Sequence, residues 1–511
     1  MHLGIDIGTS AAKAVVIDEG RIIGVGSGEY PISQPREGWS EQDPADWWRG
    51  AVAATRAACR DLDPRAMKGV ALSGQMHGLV LLDREAIYKA GTGLLQPLRP
   101  AILWNDQRTQ QQCDAIEKAL GGRAACVRAV GNAALPGFTL PKMLWVRDNE
   151  PEVWSRVAGI FLPKDYIRFL MTAETVSDFG DASGLLMLDP ATRRWSDAIS
   201  AAFEIDRRFL PQLRESAAIC GDLGVWAADQ LGLARSTPVI CGSGDNQCGA
   251  IGAGVVAPGD ALLSLGTSGV LYVHSDTPRL DAPEAGPVGR LHSFCAADGK
   301  SGQPGGWCNT GCMLSAAGSL AWARSVLAHN QPFDSLVAEA ATAPAGCDGL
   351  IFLPHLTGER CPHPNPNARA GWIGLTSRHT RAHMLRAVLE GVAMTMRQIF
   401  DLLRGLGLTV NSARIGGGGA KSTFWRQMHA DALDIPITSL QTEEGPAVGA
   451  ALLAGVGCGA WSDIREACAA AIHHRETLNP DPAAARRYAE TLQRFKDVYP
   501  ALVPYFRTAG G

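Results

Sequence analysis

A strand–turn–strand unit occurs twice in this chain, and its recurrence restricts the fold more than any other feature. Near the start, Leu3-Gly4-Ile5 reads as a strand, Gly8-Thr9-Ser10 as a tight turn, and Lys13 to Ile17 as the returning strand. Far along the chain, Leu262 to Leu265, Gly266-Thr267-Ser268 and Val270 to Val273 repeat the device. Glycine and hydroxyl residues between two β-rich runs are a hairpin signal. The same unit opening each half points to two duplicated halves.

Between the two hairpins, helical and strand patterns alternate. Trp47 to Leu62 is amphipathic after Pro44, which suits a first helical turn. Gly69 to Ser73 reads as a strand, Arg386 to Leu403 as a long helix, and Ser422 to Ala432 as a helix after a glycine run. Ile22 to Val25 adds a third strand to the first hairpin. The fold class is α/β. The small-residue stretch from Gly252 to Gly259 divides the chain into an N-terminal domain, 1–252, and a C-terminal domain, 253–511.

Composition sets the function classes aside rather than choosing among them. A formal net charge of -4 leaves no electrostatic footprint for nucleic acid. No apolar run reaches membrane-spanning length, and the first residues lack the basic stretch of a secretory signal, so a cytoplasmic protein is expected. The 13 cysteines are an odd number and sit mostly in apolar contexts, which predicts reduced thiols. The spacings Cys241/Cys248 and Cys308/Cys312 do not make a zinc motif.

Several short constellations carry chemistry. In Asp6-Ile7-Gly8-Thr9-Ser10 a carboxylate ends a strand and a Gly-hydroxyl turn follows. Backbone amides of such a turn can converge on an anion, and the acid can hold hydrated Mg²⁺. Lys13 would add positive charge if it pointed inward. Read blandly, the same residues are a hairpin turn with a solvated aspartate. Gly242-Ser243-Gly244-Asp245-Asn246 follows the strand Pro238 to Ile240 and places a carboxylate where a general base could stand, or an Asp turn of no consequence.

The run Gly416 to Gly419, then Ala420-Lys421-Ser422, offers bare backbone to a purine or a phosphate. It is neither a P-loop nor a dinucleotide fingerprint. Gln75-Met76-His77 and Trp104-Asn105-Asp106-Gln107-Arg108 each follow a strand and supply the polar groups and aromatic wall a sugar site needs. The plain alternatives are a satisfied loop histidine and a surface Asp106–Arg108 pair.

These residues resemble the FGGY carbohydrate kinases. Ile5 to Ser10 with Lys13 is similar to the family's phosphate-binding opening. The stretch Gly137 to Asn149 resembles the first family signature. Ala370 to Leu375, His383-Met384 and Ala387 to Glu390 resemble the second at the required spacing. Trp39 to Pro44, Gly74 to Gly78, Leu103 to Asp106, Leu162 to Tyr166 and Leu356 to Arg360 look like members that act on D-xylulose.

The resemblance implies two ribonuclease H-like, actin-like ATPase domains closing on an interdomain catalytic cleft. It implies transfer of the ATP γ-phosphoryl group to the terminal hydroxyl of D-xylulose. Carried over residue by residue, Asp245 matches the catalytic base and Asp6 the phosphate and magnesium aspartate. Met76, His77 and Asn246 match sugar-binding positions, with Trp104, Asp106 and Arg108 beside them. Thr9, Ser10, Lys13, Thr267, Gly418, Gly419 and Ser422 fall to ATP. A homodimer is a family-level expectation. Ribulose, gluconate or glycerol as acceptor, a non-catalytic nucleotide switch, and a nicotinamide dehydrogenase remain as alternatives.

Overall fold

The hairpin turn at Gly8 is closed by the Gly8 amide donating to Ala11 O at 3.1 Å. The computed structural model describes residues 1–283, 287–441 and 444–508. These divide into two compact units. The first holds Met1–Ala257, His274–Cys308 and Glu444–Ile472; the second holds Pro258–Val273, Asn309–Glu443 and His473–Gly511.

In the first unit the strands β1 (His2–Ile7), β2 (Ala11–Asp18), β3 (Arg21–Glu29), β4 (Gly69–Gly74), β5 (Ile219–Asp222) and β6 (Pro238–Gly244) form one sheet in the order β5-β6-β4-β1-β2-β3. The pairs β1–β2 and β2–β3 are antiparallel, β1–β4 and β4–β6 are parallel, and β5–β6 is antiparallel. Register puts Asp6 opposite Lys13 on one side and Ser73 on the other.

Both faces of this sheet are covered, which is why its central strands read as continuous apolar runs. Leu3, Ile5, Val70 and Val239 pack with Trp47 and Ala51 of the Pro44–Ala58 helix and with Ile167 and Leu170 of the Pro163–Thr172 helix. On the other face, Val15, Ala71 and Ile240 pack with the Gly445–Gly457 helix. That helix is almost all glycine, alanine and small aliphatics because it lies very close to its neighbours. A Cβ on Gly4 of β1 would overlap the Ala447 carbonyl, and one on Gly449 would overlap the carbonyl of Cys248. Cys220 and Cys241 are joined as a disulfide across β5 and β6, correcting the expectation of reduced thiols throughout.

In the second unit β7 (Gly259–Leu265), β8 (Gly269–Ser275), β9 (Trp307–Met313), β10 (Val410–Gly416), β11 (Ile437–Leu440) and β12 (His474–Leu478) lie in the order β9-β8-β7-β10-β11-β12. The pair β7–β8 is antiparallel, β7–β10 and β10–β11 are parallel, and β11–β12 is antiparallel. From β12 through β8 this repeats the first sheet's topology from β5 through β2, around its own Gly-Thr-Ser hairpin. The helices Arg381–Gly405, Thr423–Leu433 and Pro482–Thr508 belong to this unit; Trp425 of the second donates its indole N–H to Leu389 O of the first at 3.2 Å. Among the described residues, no helix is long and apolar enough to cross a membrane.

Candidate active site

In the first unit, β1, β4 and β6 run parallel and end side by side, so the residues that follow them gather at one edge. The ends of parallel strands in an open α/β sheet are where ligands bind. Here they deliver Asp6 to Ser10, then Gln75 to His77, then Asp245 and Asn246.

Asp6 is buried, and its Oδ1 has no well-formed hydrogen bond. Burial pushes its carboxyl up to about 6, against the pull of the Ser73 hydroxyl and the Lys13 ammonium and with help from the Glu444 charge. The Lys13 ammonium is not aimed at Asp6 alone: it pairs with Glu444 at 2.8 Å and is half-exposed. The turn beyond is held from both sides. Tyr30 donates its hydroxyl to Gly8 O at 2.6 Å, and Trp104 donates its indole N–H to Thr9 Oγ1 at 3.1 Å. Ser10 is exposed, its carbonyl accepting from the Tyr30 amide at 3.1 Å.

Gln42 ties this turn to the next loop. Its Nε2 donates to Thr9 O at 2.7 Å and to Pro31 O at 3.0 Å, and its Oε1 accepts from Trp47 at 2.8 Å and from Gln75 at 3.0 Å.

Asp245 is the first residue of the Asp245–Gly252 helix, with Gly244 as N-cap. It is part-exposed, yet surrounding protein, then the negative charge of Asp6, push its carboxyl up to about 7. Hydrogen bonds from Asn246 and the helix's first amides pull the other way and lose. Asn246 Nδ2 donates to Asp245 Oδ1 at 3.1 Å and reaches Met76 Sδ at 3.7 Å. A Cβ on Gly244 would stand 2.5 Å from Met76 Cγ, so that glycine lets the strand end close on the methionine.

His77 takes a left-handed conformation, φ 69°. Its Nδ1–H donates to Gly184 O at 2.9 Å, and its ring packs edge-on against Phe138. Lys142, inside the Gly137 to Asn149 stretch, is buried beneath it and donates to His77 O at 2.7 Å and Gly137 O at 2.6 Å. Burial pushes that ammonium down to about 7.

Asp106 and Arg108 sit elsewhere in chemical terms. Asp106 is fully buried, accepts the Ser40 amide at 2.7 Å and is forked by Arg108 at 2.6 Å and 2.9 Å. Arg108 also pairs with Glu41 at 2.8 Å and lies 3.5 Å over the Trp39 ring. The pair is therefore a buried network, correcting the surface ion pair expected as its plain alternative. The structure does not bring it to the Asp6–Asp245 group by any contact it makes. Trp104, by contrast, is tied to that group through Thr9.

The second unit assembles the remaining candidates around its own hairpin. The Thr267 carbonyl accepts from the amides of Ala316 at 2.8 Å and Gly318 at 3.1 Å. Gly417, with φ 87°, lies against the end of β7: a Cβ there would fall 2.7 Å from Leu265 C and 3.0 Å from Gly266 N. The glycine run and the Gly-Thr-Ser turn are thus neighbours. A Cβ on Gly416 or Gly418 would meet nothing within 4 Å, which leaves open backbone, whereas Gly419 is buried against Trp425. Ser422 is the N-cap of the Thr423–Leu433 helix and accepts the Trp425 amide at 3.2 Å.

Sequence reasoning did not single out Gln42, Lys142 or Gly184 as supports of these loops. Gln42 and Lys142 lay within stretches that the resemblance already marked. Lys142 in an apolar helical run was itself a signal, since a lysine there must find carbonyls or acids.

For Mg²⁺, the donor set fits. Two acids raised by burial, one with an oxygen lacking a well-formed hydrogen bond, suit a hydrated cation that keeps its waters.

A family model described as the N-terminal domain of the FGGY family of carbohydrate kinases matches residues 1–252, and the C-terminal domain model matches residues 261–458. Xylulose kinase from Escherichia coli (strain K12) is 38% identical over 513 residues, covering 99% of each chain. Xylulose kinase from Bacillus subtilis (strain 168) is 36% identical over 500 residues, covering 97% of this chain and 96% of its own. The crystal structure of xylulose kinase from Rhodospirillum rubrum superimposes with a TM-score of 0.89 at 30% identity, covering 99% of each chain.

Proposed function

The chain belongs to the FGGY family of carbohydrate kinases and is a sugar kinase, and on that premise we propose that it transfers the γ-phosphoryl group of ATP to the terminal hydroxyl of D-xylulose. The observation that carries the reading is the placement of Asp245 beside Asp6, in the same loop cluster as Met76, Asn246 and His77. The full-length relatives called xylulose kinase support D-xylulose as the acceptor.

Asp245 acts as general base. Its carboxylate accepts the proton of the sugar hydroxyl as that oxygen bonds to the γ-phosphorus. The bond from the γ-phosphorus to the β–γ bridging oxygen breaks, and ADP leaves. A positioned base contributes about 10²–10⁴-fold in rate. Asn246 orients the Asp245 carboxylate through its amide, and Met76 supplies an apolar wall. His77, fixed by Gly184 and Lys142, presents its ring to the sugar. Trp104 steadies the Thr9 turn. The Gly266-Thr267-Ser268 turn and the open backbone at Gly416 and Gly418 take the nucleotide. When bound, Mg²⁺ neutralises phosphate charge, and Asp6 would hold it through water. Asp106 and Arg108 serve by keeping the Trp104 loop in place rather than by touching sugar.

A coupled ADP-release assay of the purified enzyme tests the acceptor. D-xylulose should give the highest kcat/KM among D-xylulose, D-ribulose, L-ribulose, gluconate and glycerol, with little ADP formed without sugar. A higher value for another acceptor overturns the substrate, and sugar-independent hydrolysis at the same rate overturns the kinase reading.

A further inference from the structure

The Pro163–Thr172 helix carries a lysine that no part of the proposed chemistry uses. Lys164 is fully buried, and its Nζ lies 2.6 Å from Asp165 Oδ1, 2.8 Å from Asp178 Oδ1 and 3.3 Å from Asp181 Oδ2. Among the described residues, these three aspartates form a cluster of metal-binding shape, but the ammonium already stands against all of them. Arg168 adds a second cation at 2.9 Å from Asp165 and donates to Val176 O and Cys241 O. Burial raises the Asp165 carboxyl, but Lys164 and Arg168 outweigh it and hold it below its ordinary value. Asp181 is pushed well up, by burial first and then by the neighbouring Asp165 and Asp178 charges, against the pull of Lys164. A buried charge network of this kind adds little net stability, and its best-attested use is to fix one geometry.

The geometry it fixes lies on both sides of Asp245. Asp178 Oδ2 accepts the Ser243 hydroxyl at 2.6 Å and the Ser216 hydroxyl at 3.2 Å, besides capping the short turn after it through the Gly180 amide at 2.9 Å. Ser243 stands two residues before Asp245, just past a register shift in β6 that Gly242, at φ 68°, makes possible. Gly180 O accepts the side chain of Gln247, two residues after Asp245, at 3.3 Å. A Cβ on Gly180 would overlap Ser243 Oγ, so the contact is as close as a glycine permits. The same segment ends at Gly184, whose carbonyl holds His77.

We infer that Asp178, clamped by Lys164, is a positioning residue that sets the direction of the Asp245 carboxylate through Ser243. This rests on the reading of Asp245 as the base. A shift of about 1 Å in a reacting group can cost on the order of 10²-fold in rate, so loss of the Ser243 tether is expected to act on kcat.

The test uses the full-length enzyme with Ser243→Ala, Asp178→Asn, Asp245→Asn and the double variant Ser243→Ala/Asp245→Asn. Ser243→Ala should lower kcat by about 10- to 100-fold with KM for ATP unchanged. In the Asp245→Asn background the same change should cost nothing further, because there is no base left to aim. Asp178→Asn should match Ser243→Ala, but Ser243→Ala decides the matter if Asp178→Asn fails to fold. If Ser243→Ala stays within about twofold of wild type while Asp245→Asn is impaired, the positioning role is wrong and the base stands. Equal losses with and without Asp245 would reduce the tether to a structural part. Near-normal kcat in Asp245→Asn would overturn the base, and this inference with it.

Discussion

Burial, and then the negative charge of Asp6 near the end of β1, raise the carboxyl of Asp245 at the start of the helix that follows β6. The two acids are brought together only because β4 pairs in parallel with both β1 and β6. Two neighbouring carboxyls resist ionising together, and with burial this carries Asp245 to about 7, near neutral pH, where a general base is most effective.

Removing the base tests the chemistry directly. Asp245→Asn keeps the side chain's size and its place as the first helical residue, so the fold should persist. Its kcat should fall by at least about 10²-fold. Circular dichroism alongside steady-state kinetics checks both halves of the expectation.

The pH dependence has a definite sign. Asp245 must be ionised to act, and its carboxyl stands at about 7 in the ligand-free protein. The value of kcat/KM for the sugar should fall on the acid side of neutrality, by about tenfold per pH unit. The groups facing Asp245 are Asp6, which raises it, and Asn246 with the helix amides, which lower it. Asp6→Asn removes the raising charge, so Asp245 should ionise at lower pH. Carbon-13 NMR of labelled aspartate would follow this without relying on activity; an unmoved or higher midpoint would contradict the coupling.

The same strain appears in stability. For an acid whose folded pKa is above its ordinary 3.8, the folded state holds the proton more tightly than the unfolded one. Its contribution therefore declines as pH rises from about 4 to about 7. Asp245→Asn should be more stable than wild type at pH 8, by on the order of 1–3 kcal/mol, and the gap should close towards pH 4. Thermal melts across that range read it.

Asp106 gives the opposite pattern. Asp106→Ala leaves Arg108 buried at full charge with only Glu41 beside it. Breaking a buried pair in this way costs about 3–5 kcal/mol. The loss should appear in Tm, with KM for the sugar changing less than about threefold in protein that remains folded.

Gly418 separates nucleotide binding from the rest. No neighbour lies within 4 Å of a Cβ built there, so Gly418→Val should be accommodated in the free protein. If nucleotide lies on that backbone, KM for ATP should rise by roughly tenfold or more while KM for the sugar holds. Titration calorimetry with ADP checks binding apart from turnover.

The α/β class, the two hairpins and the position of every short motif were legible from local pattern. Alternation of apolar residues, a Gly-hydroxyl turn and a glycine run before a helix act over a few residues, and the chain writes them in order. The hairpin even fixed Asp6 opposite Lys13, since antiparallel register follows from turn length. The chain order could not say that Lys13 turns to Glu444, that Asp106 and Arg108 are buried under Trp39, or that Lys164 reaches Asp178. It gave no sign that the Gly445–Gly457 helix returns to pack on β1 of the first unit. Those partners are far apart in sequence, and periodicity reveals which face of an element is buried but not what lies against it. Which acids share a site, and which lysine clamps Asp178 beside it, was decided when parallel strands from distant segments were laid side by side.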